Sequence, residues 1–374
     1  MYSIKRVLSL LLLLSTYFTS YAQSDRYLVP DTVMTSIYNE IKTPYKYGLV
    51  VVPSDNALEF DCPSVFKSGS QWIMTYIVFD GRGYETWMAK SKDLLHWVTA
   101  GRILSFTDST DWDGNQKAGY VALEDYKWGG SYHLGRYNGK YWMSYIGGPT
   151  RGYEAGVLSI GMAYTSKDLT KPHEWQRLEE PVLSIKDKDD SWWDNKTLYK
   201  STVIWDKSKS LGYPFVMYYN AKGTDPAHKK PDVERIGMAV SSDMVHWKRF
   251  RKDPVLDHHK GITGDPYIEK IGKVWVMFYF GAWWGPTDGA FNRFACSYDM
   301  VHWTDWKGAN LIEPSEPYDN EYAHKSAVIK YKGVVYHFYC ATNKAYQRGI
   351  AVATSKDLGN STTHFVKKSK PKKK

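Results

Sequence analysis

Ser91-Lys-Asp-Leu-Leu-His-Trp97 decides how this chain is read, because the stretch returns. It recurs as Ser241-Ser-Asp-Met-Val-His-Trp247 and Ser297-Tyr-Asp-Met-Val-His-Trp303. Looser copies are Thr165-Ser-Lys-Asp168, followed by Trp175, and Thr354-Ser-Lys-Asp-Leu358. The aspartates Asp93, Asp168, Asp243, Asp299 and Asp357 lie 75, 75, 56 and 58 residues apart. Such self-similarity marks a repeat architecture, in which one unit buries its apolar face only against its neighbours.

Around the first copy, strands are expected at 61–66, 72–79, 85–91 and 97–104, with Gly69 and Asp93 in the turns. The same scheme places second strands at 141–146, 215–220, 274–280 and 334–340. It places third strands at 158–165, 235–241, 293–297 and 349–354. Four short strands per unit, repeated radially, describe an all-β, five-bladed β-propeller. The last copy has no fourth strand after Leu358, so Tyr47-Gly-Leu-Val-Val-Val52 is expected to pair outside blade five and close the ring. Residues 31–41 read as a short helix capped by Asp31. In each repeated turn the Asp carboxylate should accept backbone N–H groups and the Trp should wedge between blades, a folding role without chemistry.

The chain divides into a leader (1–22), an N-terminal helical segment with the closing strand (23–57), the propeller (58–366) and a basic tail (367–374). Lys5 and Arg6, a short apolar run at 7–14 and Thr19-Ser-Tyr-Ala22 match a cleaved secretory signal, which implies a secreted or periplasmic protein. No other apolar run is long enough to span a bilayer. Eight of the +9 formal charges belong to Lys5, Arg6 and six terminal lysines, so the body is nearly neutral and offers no nucleic-acid groove. The three cysteines have neither disulfide-framework nor zinc-ligand spacing.

Strand alternation puts the repeated turns on one face and the starts of the first strands on the other. Aligned without gaps, the first strands bring Asp61, Ser131, Lys200, Asp265 and Lys325 to the inner rim, one per blade. Charges converging on a narrow axis are costly unless they are paired or used. They read as an acid/base site in a pocket or as a salt-bridged plug. Arg82 and Glu85, Arg151 and Glu154, Trp128, Trp192-Trp193, Trp283 and Trp284 lie in loops of that face and suit sugar binding by stacking and forked hydrogen bonds. His324 precedes Lys325, where a carboxylate such as Asp265 would raise its pKa and let it donate to a glycosidic oxygen.

Several longer strings carry a family resemblance. They are Lys42-Thr-Pro-Tyr-Lys-Tyr-Gly-Leu-Val50, Asp61-Cys-Pro, Gly81-Arg-Gly-Tyr-Glu-Thr-Trp87, Trp128-Gly-Gly-Ser-Tyr132, Ile262-Thr-Gly-Asp265 and Ala323-His-Lys325. In these the chain resembles glycoside hydrolase family 117, five-bladed propellers that include exo-acting 3,6-anhydro-L-galactosidases of algal galactan oligosaccharides. The resemblance implies Asp61 as general base, Asp265 as the residue orienting the acid, His324 as general acid, and inversion of configuration. It implies substrate contacts from Arg82, Glu85, Trp128, Arg151, Glu154, Lys200, Trp283 and Lys325. It also implies no required cofactor, an axial divalent cation as an option, and a homodimer through the N-terminal segment. Two alternatives stay open. One is a family 43-like β-xylosidase or α-L-arabinofuranosidase, with Glu124, Glu154 or Glu321 as acid. The other is a non-catalytic glycan-binding propeller.

Overall fold

Runs of β-branched and aromatic residues broken by glycine turns form antiparallel meanders. The structure is a computed structural model that describes residues 27–108, 110–224, 233–283 and 289–366. The leader, the basic tail and Trp284 lie outside the described residues. One helix, α1 (Asp31–Ile41), precedes β1 (Tyr45–Val51). Four antiparallel groups follow in chain order. The first is β2 (Glu59–Ser68), β3 (Gln71–Phe79), β4 (Tyr84–Ser91) and β5 (Trp97–Leu104). The second is β6 (Gln116–Val121), β7 (Tyr141–Gly148), β8 (Ser159–Thr165) and β9 (Gln176–Arg177). The third is β10 (Thr197–Trp205), β11 (Phe215–Gly223), β12 (Val233–Ser241) and β13 (Trp247–Arg249). The fourth is β14 (Ile262–Ile271), β15 (Val274–Ala282), β16 (Phe291–Ser297) and β17 (Thr304–Asp305). The chain ends with β18 (Tyr322–Tyr331), β19 (Val334–Thr342) and β20 (Arg348–Thr354).

β1 completes that last sheet. It pairs antiparallel with β20, Tyr45 opposite Thr354, as its apolar run before the first repeat led us to expect. Parallel contacts at Tyr84–Gln116 and Glu234–Ile262 join first to second and third to fourth groups. The sheets stand as blades, and the core lies between them. Phe66 and Met88 meet Val121 and Met143, while Ile160 and Met162 meet Phe215 and Met217. Val216 and Met238 meet Met277 and Ala295, and Phe278 meets Val328. Phe338 and Ile329 meet Val65 and Met74, so the end of the chain packs on its beginning. Each fully buried aliphatic or aromatic side chain contributes roughly 1.5–3 kcal/mol.

The repeated turns form as expected. Asp93 Oδ1 accepts the N–H of Leu95 and His96 at 3.0 and 2.9 Å, and Asp243 and Asp299 do the same for their own turns. The Trp97 ring meets Phe338 of the last sheet, and Trp303 meets Tyr218 of the third group. All three cysteines are buried and free.

Two local expectations need correction. The residue at the α1 N-cap is Pro30, with no side-chain cap bond, and Asp31 sits in the first turn, where its charge suits the helix dipole. Met34, Ile37 and Ile41 seat this helix on its own chain, and Trp128 Nε1 donates to Glu40 at 2.7 Å. Ser131 is not on an inner strand. The first strand of the second group is β6, and a long connection carries Ser131 to an exposed loop, bonded to Asp125.

Candidate active site

β2, β10, β14 and β18 all break register near their starts. The breaks fall between Asp61 and Ser64, Leu198 and Ser201, Gly264 and Tyr267, and His324 and Ala327. A bulge leaves residues unpaired and re-aims side chains. Here it turns Asp61 with Cys62, Tyr199 with Lys200, and His324 with Lys325 into one cavity of about 220 Å³, shared with Asp265.

The pairing also corrects the alignment. Asp61 is equivalent to Gly264 and His324, whereas Asp265 is equivalent to Cys62 and Lys325. These last three share left-handed φ angles of 54°, 46° and 64°. The ungapped alignment matched the wrong partners because it counts residues, whereas a bulged sheet counts pairs. Gly264 leaves space where the equivalent strands carry a side chain, and a Cβ there would lie 2.9 Å from Asn220 Nδ2.

Asp61 is tied to cations. Its Oδ2 accepts from Lys325 Nζ at 2.7 Å and Arg348 Nη1 at 3.1 Å, and its Oδ1 takes the Cys62 N–H at 2.9 Å. Burial alone would raise its pKa, but Lys325 and Arg348 outweigh burial and hold the carboxyl far below the usual carboxylate range. Lys325 and Arg348 are raised in turn by the same neighbours, against the opposing effect of burial. Arg348 also donates to Tyr153 Oη at 2.8 Å.

His324 does not meet the expectation of a raised pKa. Burial first, then the Lys325 charge, pull its imidazole down to about 3, and Asp61 offsets them only in part. Its Nδ1 lies 3.4 Å from the Cys340 carbonyl, which can only accept, so the single proton of the neutral ring sits there. Asp265 faces elsewhere, 3.8 Å from Lys200 Nζ and 3.5 Å from the Cys62 thiol.

Two carboxyls of the cavity wall behave oppositely to Asp61. Glu234 opens β12, and burial pushes it up to about 7 despite Lys222 Nζ at 3.2 Å. Asn220 Nδ2 donates to Glu234 at 3.0 Å, while its Oδ1 accepts the Asp265 N–H at 3.2 Å. Glu154 follows β7 with a left-handed φ of 47°. Burial raises its pKa, Lys325 opposes the rise, and Tyr84 Oη donates to it at 3.3 Å. The negative charges of Glu154 and Asp265 add to the rise at Glu234, and those of Asp61 and Asp265 add to the rise at Glu154.

Of the residues singled out from sequence, Asp61, Glu154, Lys200, Asp265, His324 and Lys325 line the cavity together. The others have different neighbours. Glu85 follows the cavity residue Tyr84, so alternation turns it to the other side of β4, onto Arg102 and Ser105. Arg82 lies on the Phe106 ring and bonds Asn115. Trp128 is held by α1, and Trp283 packs among His258, Phe291 and Lys260. Arg151 is exposed and outside the lining. Glu124 and Glu269 lie away from the cavity, share the Tyr267 hydroxyl, and are pushed well up by burial. Reasoning from sequence missed Glu234 and Arg348. Both open third strands, the position where Arg82-Gly-Tyr-Glu85 drew notice, and that was the available signal.

Among the described residues, Asp61, His324 and Cys340 are the His, Cys, Asp or Glu group whose ligand atoms converge, within 4.8 Å. They do not suit a cation. Asp61 is already neutralised by two cations, and burial pushes the Cys340 thiol up, away from the thiolate.

A solved structure described as "Glycoside hydrolase" is 53% identical, covering 92% of this chain and 100% of its own, with a TM-score of 0.89. The chain is a glycoside hydrolase. A second structure, a complex of BT0996 and RGII by its description, is 54% identical with the same coverage and TM-score 0.89. A curated relative, β-1,2-mannobiose phosphorylase of Thermoanaerobacter sp. (strain X514), is 30% identical over 177 residues, 42% of this glycoside hydrolase and 52% of the relative. The match therefore spans about half of that relative's length. A family 117 hydrolase of Zobellia galactanivorans shares the fold, with TM-score 0.60, but only 14% of its sequence, so membership of family 117 does not follow. No family model matches the chain.

Proposed function

We propose that this glycoside hydrolase is a secreted, exo-acting enzyme on a five-bladed propeller, and that Glu234 is its proton donor. The observation that carries the reading is a buried carboxyl in the cavity wall with its pKa pushed up to about 7. A general acid works best when its pKa lies near the operating pH. Glu154, in the same wall, is the second carboxylate, acting on water or on the anomeric carbon. Lys325 favours its ionised form. Asp61, permanently ionised between Lys325 and Arg348, takes the part of a substrate-hydroxyl acceptor and an anchor for those cations. His324, neutral with its proton on the Cys340 side, offers Nε2 as an acceptor. These roles replace the base and acid that the motif resemblance implied for Asp61 and His324.

A single cavity of about 220 Å³ at the strand starts supports removal of one terminal sugar. The 54% identity to the BT0996 complex supports an RGII oligosaccharide as substrate. The algal galactan expectation rests on shared strings alone, because the 14% likeness to family 117 speaks to fold. Inversion and an α1-mediated dimer remain expectations of that resemblance, read respectively by product-anomer NMR and by light scattering.

The test is hydrolysis of RGII oligosaccharides by wild type, Glu234→Gln and Glu154→Gln. Wild type should release one monosaccharide, and both variants should be nearly inactive with unchanged melting temperature. Full activity in Glu234→Gln would overturn the assignment.

A further inference from the structure

Lys200 is the cavity group whose bonding is least complete. Its side chain is 3% exposed, and its Nζ is buried with no hydrogen-bond partner among the described residues. The nearest carboxylate oxygen, Asp265 Oδ2, is 3.8 Å away, too far for a direct hydrogen bond, and the Tyr120 ring centroid is at 5.2 Å. Asp265 is equally underused. The hydrogen bond given to its carboxylate by the described residues is the weak one from the Cys62 thiol, at 3.5 Å. Both residues line the cavity.

The backbone holds them there at a cost. Asp265 takes a left-handed φ of 54°, fixed by the bulge of β14 and by its N–H on Asn220. Lys200 lies in the bulge of β10. A buried ammonium with three unused donors and a carboxylate with spare lone pairs both stay at raised free energy until something bonds them. Their gap is of the order that two neighbouring oxygens fill.

We propose that Lys200 and Asp265 together read a vicinal diol of the sugar seated in the cavity, Lys200 donating to one hydroxyl and Asp265 accepting from its neighbour. This rests on the terminal-sugar reading above and deepens it. The pair selects sugars that carry both hydroxyls at the buried edge. A site built to bond a hydroxyl rejects the analogue lacking it, because its own buried groups are then left unpaired.

The test is calorimetric titration of wild type, Lys200→Met and Asp265→Asn with a panel of free pentoses and hexoses and their monodeoxy forms. Wild type should bind a parent sugar roughly 10–100-fold more tightly than the deoxy form lacking a read hydroxyl. Lys200→Met should bind the parent as weakly as wild type binds that deoxy sugar, and should bind the deoxy sugar no worse than wild type does. Equal losses on parent and deoxy sugar, no loss at all, or no binding of any sugar by wild type would overturn the proposal. Circular dichroism checks each fold; if Lys200→Met does not fold, Asp265→Asn carries the same comparison at the neighbouring hydroxyl. Hydrolysis is scored separately. An enzyme that binds as expected but cleaves no RGII oligosaccharide refutes the substrate reading and leaves the diol reading standing.

Discussion

The two faces of this molecule both present acidic side chains, and they use them in opposite ways. On the turn face, Asp93, Asp243 and Asp299 are repeated, partly solvated, and satisfied by backbone N–H groups two and three residues away. Those bonds outweigh burial and hold Asp93 and Asp243 down to about 2. On the cavity face, Asp61, Glu154, Glu234 and Asp265 are unrepeated and buried or nearly so, and their partners lie far away in sequence. The first arrangement gives carboxylates that never change state near neutrality. The second gives one locked anion and two carboxyls poised to exchange protons. A carboxylate becomes chemically useful here where local backbone does not satisfy it.

The largest expected effect is on Glu234. Loss of the proton donor in Glu234→Gln should lower kcat/KM roughly 10²–10⁴-fold on a substrate with a poor leaving group. Stability should not fall, because a buried acid that resists ionisation is replaced by its neutral isostere. A variant as active as wild type would place the proton donor elsewhere. Next comes Asp61→Asn. It strands Lys325 and Arg348 in the interior, and breaking a buried ion pair from one side costs about 3–5 kcal/mol. Chemical denaturation should show that loss alongside loss of activity. If stability is unchanged, the ion pairs are not what holds this wall.

The pH profile tests the same contrast more gently. The folded pKa of Glu234 is raised, to about 7, above the ordinary carboxylate value. Between those two values the folded chain keeps a proton that the unfolded chain has released. This group's contribution to stability therefore falls as pH rises through that window. The donor is present below pH 7, so kcat/KM should decline about tenfold per unit above it. An aryl glycoside whose leaving group needs no protonation should not show that limb. If the limb persists there, it belongs to another group.

How much was legible follows the same division. The turn face could be read from sequence because its interactions are local: Ser, Asp, His and Trp at fixed spacing carry the whole motif, and with it the register of the later strands. Ring closure was legible for a similar reason, since β1 is an apolar strand with no partner in its own neighbourhood. The cavity was legible as a place but not as a mechanism. Asp61, Lys200, Asp265, His324 and Lys325 were found because charge is conspicuous on an inner strand. Their pairing was not, because bulges shift equivalence by a residue and ion pairs such as Asp61 with Arg348 span the whole chain. Glu234 gave no signal of its own, since only burial beside Lys222 and Asn220 distinguishes it from the other glutamates.

The smallest expected effect tests the turn face. In Asp243→Ala the N–H groups of Val245 and His246 lose their acceptor, and the His246 Nδ1 contact at 2.7 Å is lost. The turn is exposed, so water can take over those donors, and the loss should be close to that of a helix cap, about 0.5–2 kcal/mol. Met244, held at φ 68°, would lose part of what secures that strained geometry. The Trp247 indole still donates to the Met244 carbonyl at 3.0 Å, which should keep the turn in register. Melting temperature should therefore drop by a few degrees while kcat/KM and its pH profile stay at wild-type values. A tenfold fall in kcat without a shift in melting would mean that the repeated aspartates reach the chemistry, and the division between the two faces would not hold.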